Sequence, residues 1–222
     1  MTNKNAKRIT ILSGHYGSGK TNIAISIALS LKKEYNKVSI CDIDIVNPYF
    51  RTKDSQTMLE ENGVKVICSP YANSNVDIPA LPQEIYNVTD DKSTHFVLDV
   101  GGDERGALAL GRISPKIANE NDYDMFFVVN FFRPLTQDVD GAIEVLKEIE
   151  NACGLKFTGV INNSNLGRET TKELVEKTID KAKELAKIVK IPYLYTTVSQ
   201  NVYNQFAKKE GVFPIYLQQI NA

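Results

Sequence analysis

The chain has three cysteines, Cys41, Cys68 and Cys153, and no two of them stand in a Cys-x-x-Cys or Cys-x-Cys pair. That excludes a disulfide framework and a zinc ribbon, and reads instead as buried structural thiols. A surplus of one charge is missing too, with 26 Lys and Arg against 27 Asp and Glu and a formal net charge of -1. Such a chain has no global field to attract DNA, RNA or an anionic membrane, so nucleic acid is not an expected partner. Long apolar runs are also absent. The most apolar segment, residues 23–31, is interrupted by Ser26 and Ser30 and is too short to span a bilayer. Residues 1–8 lack the apolar middle and small-residue cleavage site of a signal peptide, and residues 212–222 form no basic face, which predicts a cytoplasmic protein without membrane contact.

What is present is an ordinary globular composition, 42% apolar and 24% charged over 222 residues. This predicts one domain over residues 1–222, with a polar extension at 1–7 and no internal repeat or linker. Short runs rich in β-branched and aromatic residues fall at 8–13, 37–42, 64–68, 95–100, 125–130, 158–163 and 191–195. They alternate with helix-period stretches, of which 169–190 is the clearest, with Val175, Ile179, Ala182, Ala186 and Val189 on one stripe. A second stripe, Val139, Ile143, Leu146 and Ile149, starts after Pro134 and Thr136 and closes near Gly154. Runs such as Phe126-Phe127-Val128-Val129 are apolar on both faces, as strands covered on both sides must be. The prediction is a three-layer α/β fold with a mostly parallel central sheet of about seven strands. Residues 69–92, with Pro70, Pro79 and Pro82, read as a rim excursion enclosing one short helix and available for substrate or partner contacts.

Gly14-His15-Tyr16-Gly17-Ser18-Gly19-Lys20-Thr21 fits the Walker A pattern, with a strand before it and an apolar helix, residues 22–31, after it. The glycines let successive N–H groups and the helix N-terminus face phosphates, Lys20 adds a mobile positive charge, and Thr21 offers its hydroxyl to magnesium. Gly14, Gly17, Ser18, Gly19, Lys20, Thr21 and Asn22 are therefore the predicted nucleotide-binding set. A chance match in a chain of this length is on the order of 1%, and the flanking elements make accident a poor alternative. Phe96-Val97-Leu98-Asp99-Val100-Gly101-Gly102 looks like a Walker B strand. An acid at the end of a core strand needs compensation, which a magnesium shell beside the phosphate loop provides, and Gly102 is placed to bring its N–H to the γ-phosphate. The alternative for Asp99 is a cap on the following helix.

Two more acids, Asp42 and Asp44, end the second strand and are followed by Pro48. On these residues and the Walker A helix before them, the chain resembles the MinD/ParA-like group of P-loop ATPases, which includes the CobQ/CobB-type nucleotide-binding domains. The alternative for this segment alone is a solvated acidic turn. The resemblance implies that Asp44 positions the attacking water and that Asp42 supports the magnesium shell. It implies that the strand end at Asn162 and Asn163 recognises adenine, Asn163 being the first choice. A guanine-specific protein is expected to show Asn-Lys-x-Asp there, and the Lys and final Asp are missing, so ATP (or ADP) with Mg2+ is preferred over GTP. The chain departs from the group at His15, where that group often carries a Lys that reaches across a homodimer. His15 substitutes for it only when protonated, which puts a homodimer with reciprocal catalysis in question.

The leading functional reading is an ATPase switch, with segments 44–51 and 101–112 responding to γ-phosphate, acting on a protein client. A kinase or ATP-dependent amide-forming enzyme acting on a small molecule is the alternative, weakened by arginines scattered singly rather than gathered in a lid. A nucleotide-dependent binding module that turns over only with its client is the third.

Overall fold

The computed structural model describes residues 6–43, 55–68, 83–102, 104–207 and 210–215. Its strands are β1 Ile9–Ser13, β2 Val38–Asp42, β3 Lys65–Ile67, β4 His95–Asp99, β5 Tyr123–Val129, β6 Gly159–Asn162, β7 Tyr193–Val198 and β8 Val212–Pro214. The sheet has the order β3-β2-β4-β1-β5-β6-β7-β8, and every pairing in it is parallel. The eighth strand is the one the sequence does not signal. It is three residues long, ends in a proline, and exists because β7 offers it an open edge.

The helices are α1 Lys20–Lys32, α2 Gln56–Glu61, α3 Asn87–Asp90, α4 Glu104–Gly111, α5 Ser114–Glu120, α6 Val139–Cys153, α7 Lys172–Val189 and α8 Gln200–Tyr203. Their ends follow local chemistry. Asp138 caps α6 by accepting from the Gly141 N–H at 2.8 Å, and Gly154 closes it in the left-handed conformation. Thr171 caps α7 through the Leu174 N–H. Of the predicted rim excursion, residues 69–82 lie outside the described residues, and the remainder is a short 3-10 turn leading into α3.

Strand side chains alternate between two cores, one on each face of the sheet. Ile11, Cys41, Leu98 and Phe127 join the face covered by α4, α5, α6 and α7, while their neighbours Leu12, Ile40, Val97 and Val128 join the face covered by α1. Each fully buried Ile, Leu or Phe contributes roughly 1.5–3 kcal/mol, so this double-faced burial fixes the sheet's register. Cys41 and Cys153 are buried as predicted, whereas Cys68 is half-buried. None of the described helices is long and apolar enough to cross a membrane.

At the amino edge of the sheet Arg8 is buried and holds several elements together. Its guanidinium donates to both Glu120 oxygens at 2.5 and 2.6 Å and to the carbonyls of Val88, Asp91 and Thr94. Hydrogen bonds from Arg8 hold the Glu120 carboxyl below its ordinary value, and those from Ser93 and Thr94 bring Asp91 down to about 2. Both groups have lowered values in the folded state, so the stability they add is present above the ordinary carboxylate range and is lost as pH falls through the folded values. The urea midpoint is therefore expected to drop between pH 7 and pH 3, and to drop less in Glu120→Gln. An equal drop in that variant contradicts the role given to this pair.

Candidate nucleotide site

In this sheet the chain leaves β1 toward β2 on one side and leaves the adjacent β5 toward β6 on the other. The crevice at the carboxyl ends of β1 and β5 is thus a switch point, the usual ligand position in open parallel sheets. The Gly14–Thr21 loop rises there. Gly17 and Gly19 take left-handed φ angles of 74° and 84°, and Gly14 a φ of 151°. Gly19 precedes α1 without a capping side chain, which leaves the first amides of that helix to a ligand.

Lys20 is 7% exposed, and its ammonium group donates to the His15 carbonyl at 3.3 Å, folded back over the loop. The Thr21 hydroxyl donates to the Asp99 carboxylate at 2.6 Å, joining the Walker A helix to the end of β4. Asp42 lies opposite Asp99 in the β2–β4 register, and both are buried, at 6% and 2% exposed. A hydroxyl and two carboxylates, all oxygen, are the donors magnesium takes when phosphates and water complete its shell. Among the described residues no group of three or more His, Cys, Asp or Glu forms a metal cage. Among the described residues four buried side-chain polar atoms lack a hydrogen-bond partner, of which the Oγ atoms of Ser13 and Ser18 and the Nδ1 of His15 lie on or just before this loop and the fourth is the Nδ1 of His95. Orphaned polar atoms are rare in folded proteins, and their concentration around this loop fits a polyanion that supplies the missing partners. Gly102 packs on the loop so closely that a Cβ would lie 2.5 Å from the Tyr16 nitrogen. Asp44 and Asp103 lie outside the described residues.

From the loop a cleft of about 1030 Å³ opens toward β6 and β7, lined by Asn22, Asn163, Asn165, Leu166, Asn201 and Gln205 among others. Here one of the two asparagines departs from the adenine-reading expectation. Asn162 is 0% exposed, donates to the hydroxyls of Thr178 and Thr196, and accepts from the Ser164 N–H and hydroxyl. Its amide faces the interior under α7, not the cleft. Asn163 lines the cleft, but its Nδ2 donates to the Ser18 carbonyl at 2.6 Å and its Oδ1 accepts from Thr197 at 2.8 Å. It holds the phosphate loop to the sheet. Asn163→Ala leaves a buried carbonyl unpaired and is expected to lower stability by about 1–3 kcal/mol, read by urea unfolding.

His15 substitutes for the group's Lys only when protonated. Burial pushes its pKa below the ordinary 6.5, opposed by the Tyr16 backbone and assisted by the positive charges of Lys20 and Arg133, so at pH 7 it is neutral.

Sequence reading missed residues that follow β5. Asn130, fully buried, donates to the carbonyls of Gly17 at 3.4 Å and Asn165 at 3.1 Å, and accepts from the Asn165 and Phe132 N–H groups. It ties the phosphate loop to the far wall of the cleft. Arg133 donates from Nε to the Gly17 carbonyl at 3.0 Å. Their one available signal is their place at the carboxyl end of a core strand next to β1.

A phosphate loop, its joined Walker B acid and a second carboxylate at the switch point of a parallel sheet define a P-loop NTPase. The chain belongs to the CobQ/CobB/MinD/ParA nucleotide binding domain family, which matches residues 9–211. No curated protein matches it by sequence. Among solved structures it is similar to chloroplast FtsY from Physcomitrella patens, at 14% identity and a TM-score of 0.59, covering 91% of this chain and 61% of that one. It is similar to the signal recognition particle receptor FtsY of Elizabethkingia anophelis in complex with GDP, at 17% identity and a TM-score of 0.54, covering 90% of this chain and 59% of that one. The 54 kDa signal recognition particle protein of Aeropyrum pernix K1, in complex with GDP, shares 14% identity at a TM-score of 0.53, covering 88% of this chain and 42% of that one. The chain thus spans about three fifths or less of these proteins, and at such identity the likeness is one of fold.

Proposed function

We propose that the chain is a magnesium-dependent ATPase whose nucleotide state switches its contacts with a protein client in the cytoplasm. The observation that carries this reading is the 2.6 Å contact between Thr21 and Asp99 beside the buried Lys20, which assembles the metal-binding and phosphate-binding groups in one place. Lys20 and the α1 amides bind and orient the β- and γ-phosphates, Asp99 and Asp42 hold the metal's shell, and Asp44 orients the attacking water. A magnesium ion held by Thr21, Asp42 and Asp99 would supply charge neutralisation at the phosphates. Segments 44–51 and 101–112 rearrange when γ-phosphate leaves, and Gly102, packed on the loop at Tyr16, is where the second of these meets the site.

ATP rather than GTP is favoured by the absence of the Asn-Lys-x-Asp pattern at the end of β6. The GDP bound by two similar structures makes guanine the competing base. Phosphate release from purified protein with magnesium and either ATP or GTP tests both points. The reading expects steady release with ATP, reduced about 10²-fold or more in Asp44→Ala with nucleotide binding kept. Binding without turnover, even with native cell extract added, removes the ATPase reading, and release with GTP alone reassigns the base.

A further inference from the structure

Arg133 is not explained by packing. It is exposed, it lines the same cleft as Lys20, Thr21 and Asn163, and Nε is its atom in hydrogen bonding, donated to the Gly17 carbonyl. That bond turns the guanidinium plane onto the phosphate loop, so near that a Cβ on Gly17 would lie 2.8 Å from Nε and 3.3 Å from one terminal nitrogen. The backbone that presents it is fixed. The Arg133 N–H and the Thr136 hydroxyl both donate to the Asn130 carbonyl, the Thr136 N–H donates to the Arg133 carbonyl, and the preceding Phe131 and Phe132 N–H groups donate to Ser164 and Asn130. A cation is thus presented to the loop from a hydrogen-bonded turn and anchored there by its Nε.

We propose that Arg133 is a phosphate-binding residue: with Nε on Gly17, its terminal nitrogens hydrogen-bond the phosphate chain of the bound nucleotide. A fork of donors on a planar cation suits phosphate oxygens better than a backbone carbonyl alone, and one arm of the fork is already spent on positioning the rest. The triphosphate then meets two cations of the same chain, Lys20 from the helix side and Arg133 from the β5 side. His15, whose pKa burial and these two cations push below its ordinary value, adds no third. This inference rests on the nucleotide-binding reading and assigns to it a cation that the motif does not contain.

The test is calorimetric titration of wild type, Arg133→Gln and Arg133→Lys with ATP or GTP, whichever wild type binds, in the presence of magnesium. Glutamine keeps a donor for Gly17 but removes the charge, so an affinity about tenfold or more below wild type is expected, with the melting temperature of the nucleotide-free protein unchanged. Lysine restores the charge without the fork and is expected to recover part of that loss. Arg133→Gln binding as tightly as wild type, or Arg133→Lys binding as weakly as Arg133→Gln, overturns the inference while leaving the nucleotide site standing. Wild type that binds neither nucleotide overturns both.

Discussion

Lys20→Ala is expected to lower turnover by about 10²–10³-fold, the cost of removing one preorganised donor to charge that develops in a transition state. The argument rests on position. Lys20 is 7% exposed, its ammonium group is folded toward the His15 carbonyl, and the next residue in the chain, Thr21, bonds Asp99. Such a cation acts in a partly desolvated pocket, where its field is screened far less than at the surface. Truncation to alanine also removes buried stem methylenes, so Lys20→Met, which keeps the stem and loses the charge, separates packing from electrostatics. Single-turnover phosphate release on both variants, with melting curves of the nucleotide-free proteins as the folding control, checks the claim. Both variants should be slow while melting near wild type, and turnover within threefold of wild type in Lys20→Met removes Lys20 from the chemistry.

The second large effect is on stability. Gly14→Ala places a methyl group against the Val128 carbonyl of β5, a backbone atom in the middle of the sheet that cannot swing aside, at a φ of 151°. Unfavourable backbone conformation and overpacking each cost about 1–3 kcal/mol, so a loss of about 2–6 kcal/mol is expected from a total of roughly 5–15. Gly167→Ala is the matched control. Gly167 has φ +64° and nothing within 4 Å of an added Cβ, so the backbone term acts alone, at about 1 kcal/mol. Urea unfolding of the pair decides the matter, and equal losses contradict the close contact of the phosphate loop with β5.

The phosphate loop, β4 with Asp99, and seven of the eight described strands are legible in the sequence because each leaves a pattern in side chains. Glycines stand where the backbone turns, an acid ends an apolar run, and apolar residues fall on both faces. Strand β8 leaves no such pattern, since three residues ending in proline pair only because β7 is already in place. Arg133 and Asn130 were hidden for a different reason. Both act on the carbonyl of Gly17, and a carbonyl is common to every residue, so nothing in the sequence marks it as a partner. Asn162 and Asn163 are adjacent and chemically identical, and the alternation at the end of β6 sends one under α7 and the other to the cleft. That their amides meet Thr178 and Ser18 follows from α7 and the loop converging there, a tertiary fact without a local signature.

Calorimetric titration of the wild-type chain with ATP, with and without magnesium, tests the central claim most directly. The account predicts one saturable site per chain, tighter when magnesium is present, because Thr21, Asp42 and Asp99 bring their oxygens to the phosphates through the metal. No heat with ATP or GTP under either condition contradicts it.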